Sequence, residues 1–147
     1  MALAGSHHRS AFTLVEILIV VVILGILAAI VVPQFANASK EAAEGTTVHE
    51  LAKIRRAMDV YRVRHENSLP SVEEGDGTWG DLVATTGEYL KSPPSNPYVG
   101  EINARRIIIR NTPDDAYHTD YGWIFNDQDG SIWAGGFDAN DQPLRAE

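Results

Sequence analysis

Two sets of residues in this chain could do chemistry. The first is the string Ala11-Phe12-Thr13-Leu14-Val15-Glu16, after which residues 17–39 carry no charge at all. A carboxylate at the head of such a run is out of place. At mid-depth in a bilayer it costs roughly 2.5–3.5 kcal/mol or more, so a charge in this position has a partner of opposite sign. The second set lies in the acidic C-terminal quarter, where residues 111–147 hold eight acidic residues against one basic, Arg145. Asp127, Asp129, Asp138 and Asp141 stand there beside glycines and turns and offer the hard oxygens that calcium takes six to eight at a time. Turn chemistry and solubility account for the same aspartates, and Asp-x-Asp-Gly is only a fragment of a calcium loop. The signs of an enzyme are thin. His49, His65 and His118 lack metal-ligand spacing, no serine sits in a nucleophile elbow, and no phosphate loop is present. His118, near Asp115 and Asp120, reads as a polar residue at a strand edge.

The element that positions Glu16 is a helix long enough to cross a membrane. About 23 uncharged residues at helical rise span about 35 Å, against a hydrocarbon core of about 30 Å. A removable secretory signal has an apolar region of only about 7–15 residues followed by small residues, whereas here the small residues Ala4, Gly5, Ser6 and Ala11 come before the run. A plain signal anchor fits the length but leaves Glu16 without a reason. Arg9, with His7 and His8, favours a cytoplasmic N-terminus. Pro33 has no N–H for the carbonyl of Ala29 and crowds it, so the helix is expected to kink there. With Gly25 it bounds a stretch that could loosen or extend.

Beyond residue 40 the helix is expected to continue. Val48, Leu51, Ile54, Met58 and Tyr61 form one apolar stripe at helical spacing. The basic cluster Lys53, Arg55, Arg56, Arg62 and Arg64 reads as a solvated face making salt contacts. A net charge of −8 and the lack of interleaved aromatics argue against nucleic acid. Leu69-Pro70 ends the helix. Residues 71–100 read as loop, with a short helical piece over 79–84 and prolines at 93, 94 and 97. Strands are expected over 105–110, 117–125 and 131–134, the last two joined by a hairpin loop at 126–130. The fold class is α+β: a long N-terminal transmembrane helix, about 12–66, packed through its stripe on a small antiparallel sheet by Ile108, Tyr121, Trp123 and Trp133. The chain has no cysteine, so a small extracytoplasmic domain needs another staple than a disulfide.

Phe-Thr-Leu-x-Glu heading a long apolar helix resembles the N-terminus of type IV pilins and of the pseudopilins of type II secretion systems. The resemblance continues at Gly25 and Pro33, and over Met58-Asp59-Val60-Tyr61-Arg62 and Leu69-Pro70. It is looser at Tyr89-Leu90-Lys91 and Asn96-Pro97-Tyr98 and weak beyond residue 100. One departure is Ala11, where that family usually has glycine.

The resemblance implies a division into a cleaved leader (1–11), a transmembrane and filament-core helix (12–39) and an extracytoplasmic pilin-like domain (40–147). It implies that a prepilin peptidase cuts between Ala11 and Phe12, that the new Phe12 amine is N-methylated, and that Glu16 pairs with the Phe12 amine of a neighbouring subunit. A helix-capping role for Glu16 is the competing reading. The implied partners are other copies in a homo-oligomeric filament, an inner-membrane assembly platform and minor pseudopilins, with the C-terminal domain in the periplasm. The implied cofactor is calcium in the C-terminal loop. A structural subunit of a type II secretion pseudopilus, which helps drive folded proteins across the outer membrane, is the reading taken. The hairpin around Trp123 and Trp133 also suits a type IV pilus or competence pilin, and a membrane-anchored binding protein or hydrolase is the alternative from another class.

Overall fold

A computed structural model describes residues 12–83 and 88–145. The leader, with Ala11 of the expected cut, and Ala84 of the expected short helix lie outside the described residues. The elements in chain order are helix α1 (Leu14–Arg64), strand β1 (Gly75–Asp76), single 3-10 turns at Gly80–Val83 and Pro97–Val99, and strands β2 (Arg106–Ile109), β3 (Trp123–Phe125) and β4 (Ile132–Ala134). The chain divides into two compact units, residues 1–38 and 39–147.

In the first unit α1 is apolar enough and long enough to cross a membrane. Its large apolar side chains from Leu14 to Phe35 are exposed on every side among the described residues. Branched aliphatics on every side of a helix suit a hydrocarbon or filament-core surrounding, because water would penalise each of them. The helix runs through Pro33 without a break.

In the second unit α1 ends where the sequence stops supporting it. Glu66 and Asn67 take left-handed backbone, Asn67 N–H donates to the Arg62 carbonyl, and Leu69-Pro70 leads away. The buried face of the helix is Thr47, Leu51, Ile54, Ala57, Met58 and Tyr61. Val48 of the expected stripe is instead 41% exposed. Thr47 takes the inner position one residue earlier because its hydroxyl has a buried partner, described below.

The sheet has the order β1-β2-β3-β4. Two of its pairings are antiparallel, but β2 and β3 run parallel, with Ile107 beside Trp123 and Ile109 beside Phe125. The wholly antiparallel sheet expected from sequence is therefore corrected to a mixed one. The physical reason lies in the connection: about a dozen residues separate β2 from β3, enough to cross over, whereas a hairpin needs only a few. β3 and β4 form the expected hairpin, turning through Gly130 at φ +79°, where an added Cβ would lie 2.6 Å from Leu69.

The core unites Leu51, Ile54 and Met58 of the helix with Trp79, Ile107, Trp123, Phe125, Ile132 and Phe137. Of the four side chains expected to bridge sheet and helix, only Trp123 is fully buried. Ile108, Tyr121 and Trp133 are half-buried. Their neighbours Ile107, Ile132 and Ala134 point inward, because alternation along a strand sends adjacent side chains to opposite faces.

Candidate assembly site and the acidic segment

The head of α1 is a closed capping box. Thr13 N–H and Thr13 Oγ1 both donate to Glu16 Oε2, at 2.8 and 2.9 Å, and Glu16 N–H donates back to Thr13 Oγ1 at 3.2 Å. Two of the backbone donors that a helix start leaves unpaired are thereby satisfied. The helix-capping reading of Glu16 thus has a geometric counterpart. Both donors fall on Oε2, the only oxygen of this carboxylate engaged among the described residues. Phe12, next to the box, is 81% exposed. Gly25 has open space around its Cα, and Pro33 lies inside the continuous helix.

The basic face of α1 binds back onto its own domain. Arg55 grips Asp141 with two hydrogen bonds, at 2.6 and 3.0 Å, and donates to the Ile132 carbonyl at 2.9 and 3.2 Å. Arg62 donates to the Asp129 carbonyl at 3.2 Å, Arg64 pairs with Glu88, and Lys53 pairs with Glu50 at 2.8 Å. Of the subunit or intrachain salt contacts expected of that face, these are intrachain ones.

The four aspartates offered as calcium ligands do not converge. Asp129 Oδ1 accepts from Ser131 N–H at 2.7 Å, in the hairpin loop. Asp138 Oδ1 accepts from Asn140 and Gln142 N–H, at 2.8 and 2.9 Å, in a separate turn. Asp141 is taken by Arg55, and Asp127 is an exposed loop residue. The backbone donors hold the carboxyls of Asp129 and Asp138 below the ordinary aspartate value. No group of three or more histidine or acidic side chains is placed to hold a metal among the described residues.

The acidic residue that matters most was missed from sequence. Asp114, with a side chain 2% exposed, sits at the centre of a polar cluster. Its Oδ1 receives the Arg110 guanidinium and, at 2.7 Å, the Tyr121 hydroxyl. Its Oδ2 receives His118 Nε2–H at 2.7 Å and Gly136 N–H at 2.8 Å. Burial raises its pKa, but donors from Tyr121, Gly136, Arg110 and His118 outweigh that and hold the carboxyl below its ordinary value. Burial and then Asp114 push the Tyr121 phenol upward. His118 therefore faces Asp114, while its Nδ1 accepts from the Asp120 N–H at 3.4 Å. In the sequence, Asp114 is one of two adjacent aspartates after a proline. Only the helical offset of Arg110, Asp114 and His118 hinted at a cluster.

Asn96 was missed as well, hidden among prolines. It is fully buried and has four hydrogen bonds. Thr47 Oγ1 and Tyr98 N–H donate to its Oδ1 at 2.8 and 3.0 Å, and its Nδ2 donates to the carbonyls of Gly122 and Gly135 at 2.9 Å each. It joins α1, the 3-10 turn at Pro97–Val99 and the ends of two sheet connections.

Residues 6–32 match the family described as Prokaryotic N-terminal methylation motif. The chain is 42% identical over 118 residues to a type II secretion system core protein G of Pseudomonas aeruginosa, covering 80% of this chain and 75% of that protein. It is 32% identical to the protein of the same name in Klebsiella pneumoniae, over 86% of this chain and 81% of the relative. It is 30% identical to that of Pectobacterium carotovorum, over 87% and 74%. No solved structure matches the chain.

Proposed function

The chain belongs to the family of type II secretion system core protein G, the major pseudopilins, and from that premise we propose that it builds the secretion pseudopilus by a charge exchange at Glu16. It is a structural subunit, and its relatives are structural proteins rather than enzymes. The observation that supports the mechanism is a carboxylate held through Oε2 by Thr13 at the head of an uncharged helical run.

Before assembly, Glu16 sits at the bilayer with Oε2 satisfied by Thr13, so the waiting subunit does not carry a bare charge. A prepilin peptidase cuts between Ala11 and Phe12 and exposes an amine on Phe12, which is then N-methylated. In the filament the carboxylate of one subunit meets the Phe12 amine of a neighbour. Such a pair in low dielectric offsets much of its desolvation cost, and removing one member leaves the other heavily penalised. A subunit therefore docks stably only at the register where the partner charge waits. Residues 25–33, lacking one backbone hydrogen bond at Pro33, provide the give the helix needs on passing from bilayer to filament core. The N-terminus faces the cytoplasm and the second unit the periplasm. An inner-membrane assembly platform and minor pseudopilins organise growth.

The test is Glu16→Leu beside Glu16→Gln. Both variants are expected to insert in the membrane and to be cut normally, while sheared filaments and secretion are lost. Filaments formed at normal yield by Glu16→Leu would overturn the charge exchange.

A further inference from the structure

We propose that residues 135–145 of this chain are fastened by a guanidinium-carboxylate centre at Asp114 and not by a calcium ion. The domain then holds its C-terminal segment without metal. The inference concerns the isolated subunit, so it stands or falls apart from the filament mechanism above.

A calcium ion needs six to eight oxygens converging on one point. An ionised carboxylate offers about four lone-pair sites, and Asp114 has all of them occupied, by Arg110, Tyr121, His118 and Gly136. Arg110 also brings a permanent positive charge to the place a cation would need. Its Nη1 donates to the Tyr121 hydroxyl at 3.0 Å and its Nε to the Thr112 carbonyl at 2.8 Å, so the fork is fixed on three sides. Of the four aspartates offered as calcium ligands, Asp141 is engaged by Arg55, Asp138 and Asp129 by the backbone of their own turns, and Asp127 stands apart as an exposed loop residue.

The same contacts do the work a metal or disulfide would do. Asp114 takes the Gly136 N–H. Leu144 is tied on both sides, its N–H donating to the Gly136 carbonyl at 2.8 Å and its carbonyl accepting from the Tyr98 hydroxyl at 2.5 Å. Asp141 is clamped to α1 through Arg55. The segment is thus held at three separated points, and charge-assisted, bidentate bonds are among the stronger ones available.

The experiment uses the full chain in detergent micelles, melted by circular dichroism in chelator and in ~5 mM calcium, enough to fill even weak extracellular-type sites. The wild-type midpoint is expected to agree within about 1 °C in the two conditions, which by mass action means no calcium binding to the folded state. Arg110→Met and Asp114→Asn are each expected to lower the midpoint by about 5 °C or more. They should also speed amide exchange at Gly136 and Leu144 at least about tenfold relative to the core of α1, reporting local release. A saturable rise of the wild-type midpoint with calcium, accompanied by binding heat, would overturn the proposal, and that measurement needs no variant to fold. Unchanged exchange at Gly136 and Leu144 in Arg110→Met would overturn it too.

Discussion

Replacing Asn96 by alanine tests whether one buried amide joins the helix to the sheet. The side chain is fully buried and makes four hydrogen bonds. Its loss strands the carbonyl of Gly135 and the N–H of Tyr98, while the Gly122 carbonyl keeps the Gly135 N–H at 2.8 Å. The Thr47 hydroxyl keeps the Ala43 carbonyl as an alternative at 2.9 Å. Each buried group left unpaired costs about 1–3 kcal/mol. Two such groups, discounted for partial relaxation and non-additivity, give about 3 kcal/mol, a large share of the roughly 5–15 kcal/mol that stabilises a typical domain. Urea unfolding followed by fluorescence of the buried Trp79 and Trp123 reads this directly. With a slope of about 1.5 kcal/mol per molar, the midpoint should fall by about 2 M. Thr47→Val keeps the volume and removes one donor, so it should cost only about 1 kcal/mol. The double variant should show a coupling of about 0.5 kcal/mol or more. A shift below about 1 kcal/mol for Asn96→Ala at unchanged slope, or zero coupling, would refute the reasoning.

Other expectations follow from the same geometry. The Asp114 carboxyl is held below its ordinary value in the folded chain. Its stabilising contribution is therefore complete above the unfolded value of about 3.9 and is lost as pH falls through the lower folded value. Urea midpoints at pH 7 and pH 5 should agree and drop by pH 3, and Asp114→Asn should flatten part of that acid limb. Gly135→Ala should cost about 1–3 kcal/mol in the same assay, because a Cβ there would lie 2.3 Å from the Tyr121 carbonyl oxygen. Thr13→Ala removes the cap that holds Glu16. It should cost about 0.5–2 kcal/mol locally, read as faster amide exchange over the first turn of α1 with an unchanged urea midpoint. Val63→Ser, at a side chain 85% exposed, should shift the midpoint by no more than about 0.5 kcal/mol.

The long helix, its end near Leu69-Pro70, the β3–β4 hairpin and the absence of a disulfide were legible because periodicity, proline and glycine act locally. The faces of the sheet were not. Ile107, Ile108 and Ile109 are identical, so nothing in the run says which one points inward. In β4 the largest side chain, Trp133, lies on the half-buried side while Ala134 is buried. Thr47 displaced Val48 from the inner stripe because a tertiary partner, Asn96, rewards a hydroxyl there. Strand β1 has only two residues and two glycines near it, too little to show a period; it exists because β2 offers it an edge. At the candidate site, Glu16 announced itself by being the wrong residue type for its surroundings. Asp114 did not, because a carboxylate in an acidic segment looks ordinary until its four donors are brought together by the fold.

The clamp between Arg55 and Asp141 has a consequence for the order of events in biogenesis. These partners are 86 residues apart in sequence, and Arg55 also reaches the Ile132 carbonyl 77 residues on. Tyr98 waits in the same way for Leu144. A chain made from its N-terminus has its apolar helix complete long before either contact can form, and long-range pairings of this kind are slow to close. The globular unit therefore stays open, with the inner stripe of α1 uncovered, until residues 141–144 have been made. Nonsense or frameshift lesions ahead of Asp141 should on this account be as damaging as lesions in the core, leaving a tethered, unfolded tail for proteolysis to remove.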